Sequence, residues 1–187
     1  MQNVELLNEI LSKIEFKIQT DQNVRKEYIY RIKKKIYKIF KNERKFINSN
    51  TIFSNITKDE RKAINKLSLI DTMSKISVGF IINQICKNLN NEGVYLNIGV
   101  WRGFSMFAGM FNTKCEVYGV DNFSFNYEDG NRSLDNTKEE FNTRNYFYKH
   151  FQMYQNKNKH FFFDKDYKNF FKSWEKKNKM IDFYYYD

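Results

Sequence analysis

The segment YLNIGVWRGFS, residues 95–105, places two glycines, Gly99 and Gly103, around a short loop directly after an apolar run. Each glycine has a physical use there. At Gly99 the chain can turn sharply and let a ligand approach the backbone. At Gly103 a helix can pack closely and present the amide groups of its first turn. Taken alone, this spacing is a weak signal. The next apolar segment, EVYGVDNFS (116–124), ends in Asp121, 22 positions after Gly99. An acidic side chain at that distance, at the tip of a second strand, can accept hydrogen bonds from both hydroxyls of a ribose. The bland alternative is that Asp121 caps a turn with Asn122. The order strand, glycine loop, helix, strand, acid favours the ligand-binding reading.

The kind of ligand follows from what the loop lacks. A nicotinamide site prefers three glycines, and here Trp101 stands where the second would leave room for a pyrophosphate. There is no G-x-x-x-x-G-K-[ST] phosphate loop. A nucleoside without pyrophosphate fits better, and S-adenosylmethionine is such a ligand. Other chemistry is thin. His150 and His160 are too far apart for a local metal pair, and neither belongs to an H-E-x-x-H motif. No G-x-S-x-G nucleophile elbow occurs. The FFF and YYY groups read as core strand residues rather than as base-stacking platforms.

VYLNIGVWRGFSM and VYGVDNF resemble the first two cofactor motifs of class I S-adenosylmethionine-dependent methyltransferases. The nearest branch has a first motif of roughly E-I-G-V-[WY]-x-G-x-S and a fourth strand ending in F-I-D-G-x-H. The resemblance covers about residues 93–187. It implies that Gly99 and Gly103 line the methionine part of the cofactor, with Trp101 between them. It implies that Asp121, followed by Asn122, holds the ribose, and that Asp164 stands near the adenine amine. Asp164 and Asp166 suit equally well an N-cap for a helix starting at Tyr167. Asn97 is a departure: the family usually has Glu or Asp there, and Asn accepts hydrogen bonds without carrying charge. Asp187, ending MIDFYYYD, would face the same crevice as Gly99. The resemblance gives it a divalent metal or the acceptor substrate to bind, against the bland reading of a charged residue in solvent.

These residues need elements to position them. From the turn cluster Asn90-Asn91-Glu92-Gly93, strands alternate with helices. Strands are expected at Val94–Ile98, Glu116–Val120, His160–Phe163 and Ile181–Tyr186. Helices are expected at Gly103–Phe111, about 135–154 and about 166–176. Such alternation implies an α/β fold with a Rossmann-like, doubly wound parallel sheet. Its first four strands are expected in the spatial order 3-2-1-4. The N-terminal region reads as helix. Val4, Leu6, Leu7, Ile10, Leu11, Ile14 and Ile18 recur at helical spacing. A second helix over about 22–47 puts Tyr28, Ile29, Ile32, Ile36, Ile39 and Phe40 on one face and lysines on the rest. A third opens near Thr57, whose spacing to Glu60 suits a capping box, and runs through Ile81, with Gly79 marking either a break or a close packing contact. Two domains result: a basic helical region over 1–91, and the first half of a methyltransferase-like domain over 92–187.

Of the formal net charge of +10, nearly all belongs to the first region. Residues 1–90 hold 18 Lys and Arg against 9 Asp and Glu; residues 91–187 hold 14 against 13. A chain rich in Lys, Asn, Ile, Phe and Tyr and without Pro can owe that bias to A/T-rich codons as readily as to a selected basic surface. The lysines alternate with an apolar face needed for packing, so nucleic acid is not the expected partner. No apolar run approaches the ~18 residues of a membrane span, and no secretory signal opens the chain. Two cysteines cannot build a disulfide framework, and a reducing cytoplasm is the simplest setting. The aromatic fourth strand would be a sheet edge at the chain's end, so a truncated gene or fragment is expected rather than a partner completing the sheet. The function expected is methyl transfer from S-adenosylmethionine to a small-molecule acceptor, a sugar or other hydroxyl-bearing metabolite. The rival is a non-catalytic scaffold of the same fold whose basic helices engage nucleic acid or another acidic partner.

Overall fold

The computed structural model describes residues 2–16, 51–72, 74–124, 134–175 and 179–186. The whole of the helix expected over 22–47, and Asp187, lie outside the described residues. The chain divides into two compact units, residues 1–84 and 85–187.

The first unit opens with α1 (Gln2–Ser12), which buries Ile10. The expected helix does not continue to Ile18. Instead β1 (Ile14–Phe16) pairs antiparallel with β2 (Thr51–Phe53), with Ile14 opposite Phe53. Ile14, Phe16 and Ile18 also alternate with period two, so the same residues fit a strand, and a distant partner settles the choice. Next comes α2 (Lys58–Leu67), opened by the expected capping box. The Glu60 amide donates to Thr57 Oγ1 at 3.2 Å, and the Thr57 amide donates to Glu60 Oε2 at 2.6 Å. The single helix expected through Ile81 is broken over 68–75, where α2 ends before α3 (Ile76–Asn88) begins. Hydroxyls compete with the helical ladder there: Ser68 Oγ donates to the Asn65 carbonyl at 2.8 Å, and Thr72 Oγ1 accepts from the Ser74 amide at 2.9 Å. Gly79 sits inside α3 and marks no break.

The second unit is the expected α/β arrangement. Its elements are β3 (Val94–Ile98), α4 (Phe104–Met110), β4 (Glu116–Asp121), α5 (Leu134–Tyr154), β5 (His160–Asp164), α6 (Tyr167–Trp174) and β6 (Phe183–Tyr186). The four strands form one parallel sheet in the order β5-β4-β3-β6, which is 3-2-1-4 in order of appearance. Alternation along each strand sends side chains to opposite faces. On one face Val94, Leu96, Ile98, Tyr118 and Val120 pack with Phe170 and Trp174 of α6. On the other, Tyr95 lies so close to Gly109 of α4 that a Cβ there would sit 2.3 Å from its ring. Phe147 of α5 stacks on Phe107 of α4, ring centroids 5.7 Å apart, and meets Phe162 of β5 at 4.4 Å. β6 starts later than expected because Asp182 precedes it as a side-chain partner, its carboxylate accepting from the Val94 amide at 2.9 Å. Cys86 and Cys115 are free and buried. Among the described residues no helix is long and apolar enough to cross a membrane.

His160 opens β5 from a buried position, its Nδ1 accepting from the Asn156 amide at 2.9 Å. Burial, with Lys159 adding to it, pushes its pKa down to about 4. The unfolded chain takes up this proton near pH 6.5, whereas the folded chain resists it, so stability must fall as pH drops from about 6.5 toward 4. Between pH 7 and pH 5 the expected loss is about 2 kcal/mol. Urea unfolding at both pH values should show that loss in the unmutated chain and a flatter response in His160→Gln. Parallel responses would contradict the assignment.

Candidate functional site

The carboxyl ends of all four parallel strands converge on a cleft of about 280 Å³. Ile98 and Gly99 follow β3 into it, and Asp121, Asn122 and Ser124 come from the end of β4. Lys165, Asp166 and Tyr167 enter from the turn after β5, and Tyr186 from the end of β6. In a sheet whose order reverses between β3 and β6, this end is where the loops diverge and leave room for a ligand.

The loop after β3 needs its glycines. Gly99 and Gly103 have φ of 79° and 95°, in the left-handed region that glycine adopts without penalty. Trp101 between them also has a positive φ, 46°. The loop is closed by the Gly103 amide donating to the Val100 carbonyl at 2.7 Å, and tied to β4 by the Gly99 amide donating to the Val120 carbonyl at 3.0 Å. Two more of its amides turn to Asp121. The Val100 and Trp101 amides both donate to Asp121 Oδ2 at 2.7 Å, and the Phe123 amide donates to Oδ1 at 2.6 Å. A carboxylate offers about four lone-pair positions. With three taken, Asp121 has room for one ribose hydroxyl in this arrangement, not the two expected of it. Asn122 forms the next turn, its Oδ1 accepting from the Ser124 amide at 3.1 Å and the Ser124 hydroxyl at 2.7 Å.

No match to this chain emerges from comparison with protein-family models, curated proteins or solved structures.

The other candidates are placed as follows. Asp164 at the end of β5 does not line the cleft. Its carboxylate pairs with the Arg144 guanidinium and accepts from the Tyr148 hydroxyl at 3.2 Å. Arg144 also donates to the Asn122 carbonyl at 3.1 Å and lies over the Phe123 ring, so it braces the β4 and β5 turns together. Burial and the Asp164 charge hold the Tyr148 hydroxyl above its ordinary pKa, which keeps it a donor. The N-cap of α6 is Asp166, accepting from the Lys168 amide at 2.9 Å. Asn97 is fully buried on the α4 side of the sheet. Its Oδ1 accepts from the Ser105 hydroxyl at 2.9 Å, and its Nδ2 faces the carbonyls of Ile98 and Tyr185 at 3.4 Å. That geometry joins β3 to α4 and β6 and presents nothing to the cleft. Trp101 stacks under the Arg102 guanidinium, 4.8 Å from its ring centre. Among the described residues no group of three His, Cys, Asp or Glu could hold a metal ion, and Asp187 lies outside them.

Sequence reasoning missed Lys165, Tyr167 and Tyr186. Lys165 lines the cleft together with Asp121 and Asp166, and its ammonium lies 5.4 Å from the centre of the Phe163 ring. Tyr186, within the YYY group expected in the core, is exposed instead. Alternation along β6 puts Tyr184 and Tyr186 on one face, where they are 46% and 61% exposed. The Tyr186 ring meets Tyr167 edge-on at 6.4 Å, an aromatic wall to the cleft. A usable signal existed: in a parallel sheet the residues just past each strand end face the ligand side.

Proposed function

We propose that the second unit binds S-adenosylmethionine and transfers its methyl group to a small hydroxyl-bearing acceptor of the sugar type. One observation carries the reading: the loop that resembles the family's first motif and the acid that ends its second strand meet at one cleft, at the carboxyl ends of β3 and β4. The residues fit a nucleoside-like group. Gly99 offers backbone that a ligand can approach. Asp121 Oδ1 keeps one acceptor position, and Asn122 also lines the cleft. Tyr167 and Tyr186 supply flat apolar surface of the kind that purines stack on. The cleft, about 280 Å³ and close to the lower bound for a ligand pocket, has room for the nucleoside part of the cofactor. When bound, the cofactor supplies a sulfonium-activated methyl group. The chain's part is to orient it and to exclude water. Asp187, directly after Tyr186, is the residue assigned to the acceptor or to a divalent ion, on the resemblance alone.

Isothermal calorimetry with S-adenosylhomocysteine tests the reading. The unmutated chain should bind, and Asp121→Ala should lose about 1–3 kcal/mol of affinity, the usual value of a hydrogen bond to a charged group. Absence of binding by the unmutated chain would remove the cofactor assignment. Equal affinity of the two proteins would leave Asp121 no part in binding.

A further inference from the structure

We infer that Asp121 is a positioning residue, whose main work is to hold the Gly99–Gly103 loop in shape rather than to grip the ligand. The inference rests on reading the cleft as a nucleoside site. Successive amides at Val100 and Trp101 point to one spot, forming a concave nest that favours an anion. That spot is filled by the chain's own carboxylate, with both N–H groups 2.7 Å from Asp121 Oδ2. The other oxygen holds the Phe123 amide at 2.6 Å, so one side chain fixes the turns after β3 and β4 together. Trp101 shows why a clamp is needed. It keeps a left-handed φ of 46° without being glycine, and such a residue stays there only when its surroundings impose it. Both polar groups of the Val100–Trp101 peptide are held: its N–H donates to Asp121, and its carbonyl accepts from the Gly103 amide at 2.7 Å, closing a turn around Trp101. Three of the carboxylate's four acceptor positions thus serve the backbone. A ribose needing two of them would have to dislodge a backbone amide.

Two measurements on the full chain test this. The first needs no ligand. Amide hydrogen exchange at Val100 and Trp101 is followed by NMR in the unmutated chain, in Asp121→Ala and in Asp121→Asn. Exchange at both amides should be at least tenfold faster in the alanine variant. The asparagine variant should recover most of the protection, because its side-chain oxygen can still accept from both. Leu96 and Tyr118, inside β3 and β4, should stay protected in all three and so report that the sheet is intact. Unchanged exchange at Val100 and Trp101 in Asp121→Ala overturns the inference.

The second measurement compares S-adenosylhomocysteine with its 2′,3′-dideoxy analogue, which has no ribose hydroxyls to offer. A loop clamp predicts that Asp121→Ala weakens the analogue at least fivefold as well. If the analogue binds both proteins equally while S-adenosylhomocysteine loses affinity, Asp121 acts by direct contact and the inference is wrong. If neither ligand binds the unmutated chain, the cofactor reading falls, and the exchange experiment alone decides whether Asp121 is the clamp.

Discussion

Replacing Gly103 by alanine should destabilise the protein by about 3 kcal/mol, through two separable effects. The first is backbone strain: Gly103 has φ 95° and ψ 0°, and a Cβ in the left-handed region costs ~1–2 kcal/mol. The second is overlap. The new Cβ would lie 2.3 Å from Cε2 and 2.5 Å from Cζ of Phe107. Phe107 cannot swing aside, because it is fully buried and its ring packs on Phe147 and against Tyr154. Forcing such a ring to shift costs ~1–3 kcal/mol. The two effects separate in the double variant Gly103→Ala/Phe107→Leu, where a smaller side chain relieves the overlap and leaves the strain. Urea unfolding of both single variants and the double variant measures the coupling. A loss below 1 kcal/mol in Gly103→Ala, or strictly additive losses, would show that the loop relaxes away from the ring.

Asn97→Asp should cost more, about 3–5 kcal/mol at neutral pH, the range for a buried charge without a counter-charge. Asn97 is 0% exposed, and its Nδ2 faces two backbone carbonyls, those of Ile98 and Tyr185. A carboxylate would set an anionic oxygen against both, leaving only the Ser105 hydroxyl to satisfy it. Desolvation would raise the new side chain's pKa above its unfolded value near 4. The penalty is therefore complete above the raised pKa and shrinks as pH falls through it toward 4. This is opposite in sign to the His160 effect, so variant and unmutated chain must be compared at each pH. The measurement is the difference in unfolding free energy at pH 7.5 and pH 4.5. A variant as stable as the unmutated chain at pH 7.5, or a deficit that grows on acidification, would refute it. The carbonyls around Asn97 select a hydrogen-bond donor at this position.

The parts of the fold legible in the sequence were those that local chemistry decides. Val94–Ile98 is an apolar run stopped by a turn cluster and a glycine, and the structure has the strand with those bounds. The Thr57–Glu60 capping box needs only two side chains three residues apart, and it forms as expected. The 3-2-1-4 order followed from alternating strands and helices, because parallel strands require crossovers and crossovers restrict topology.

Tertiary structure decided what local patterns leave ambiguous. Ile14 satisfies helical spacing with Ile10 and Leu11 and strand alternation with Phe16, and Thr51–Phe53 became the partner that settled it. Asp164 and Asp166 were equal candidates for a cap, until an arginine 20 residues upstream claimed the first. The type and position of Asp121 pointed to a ligand, but its two oxygens could not be counted as free until the loop amides were placed around it. Lys165 and Tyr186 joined the site because β5 and β6 end beside β3 and β4. Strand periodicity says which face a side chain takes; only the assembled sheet says which strand ends lie together, and a site built from four of them exists only there.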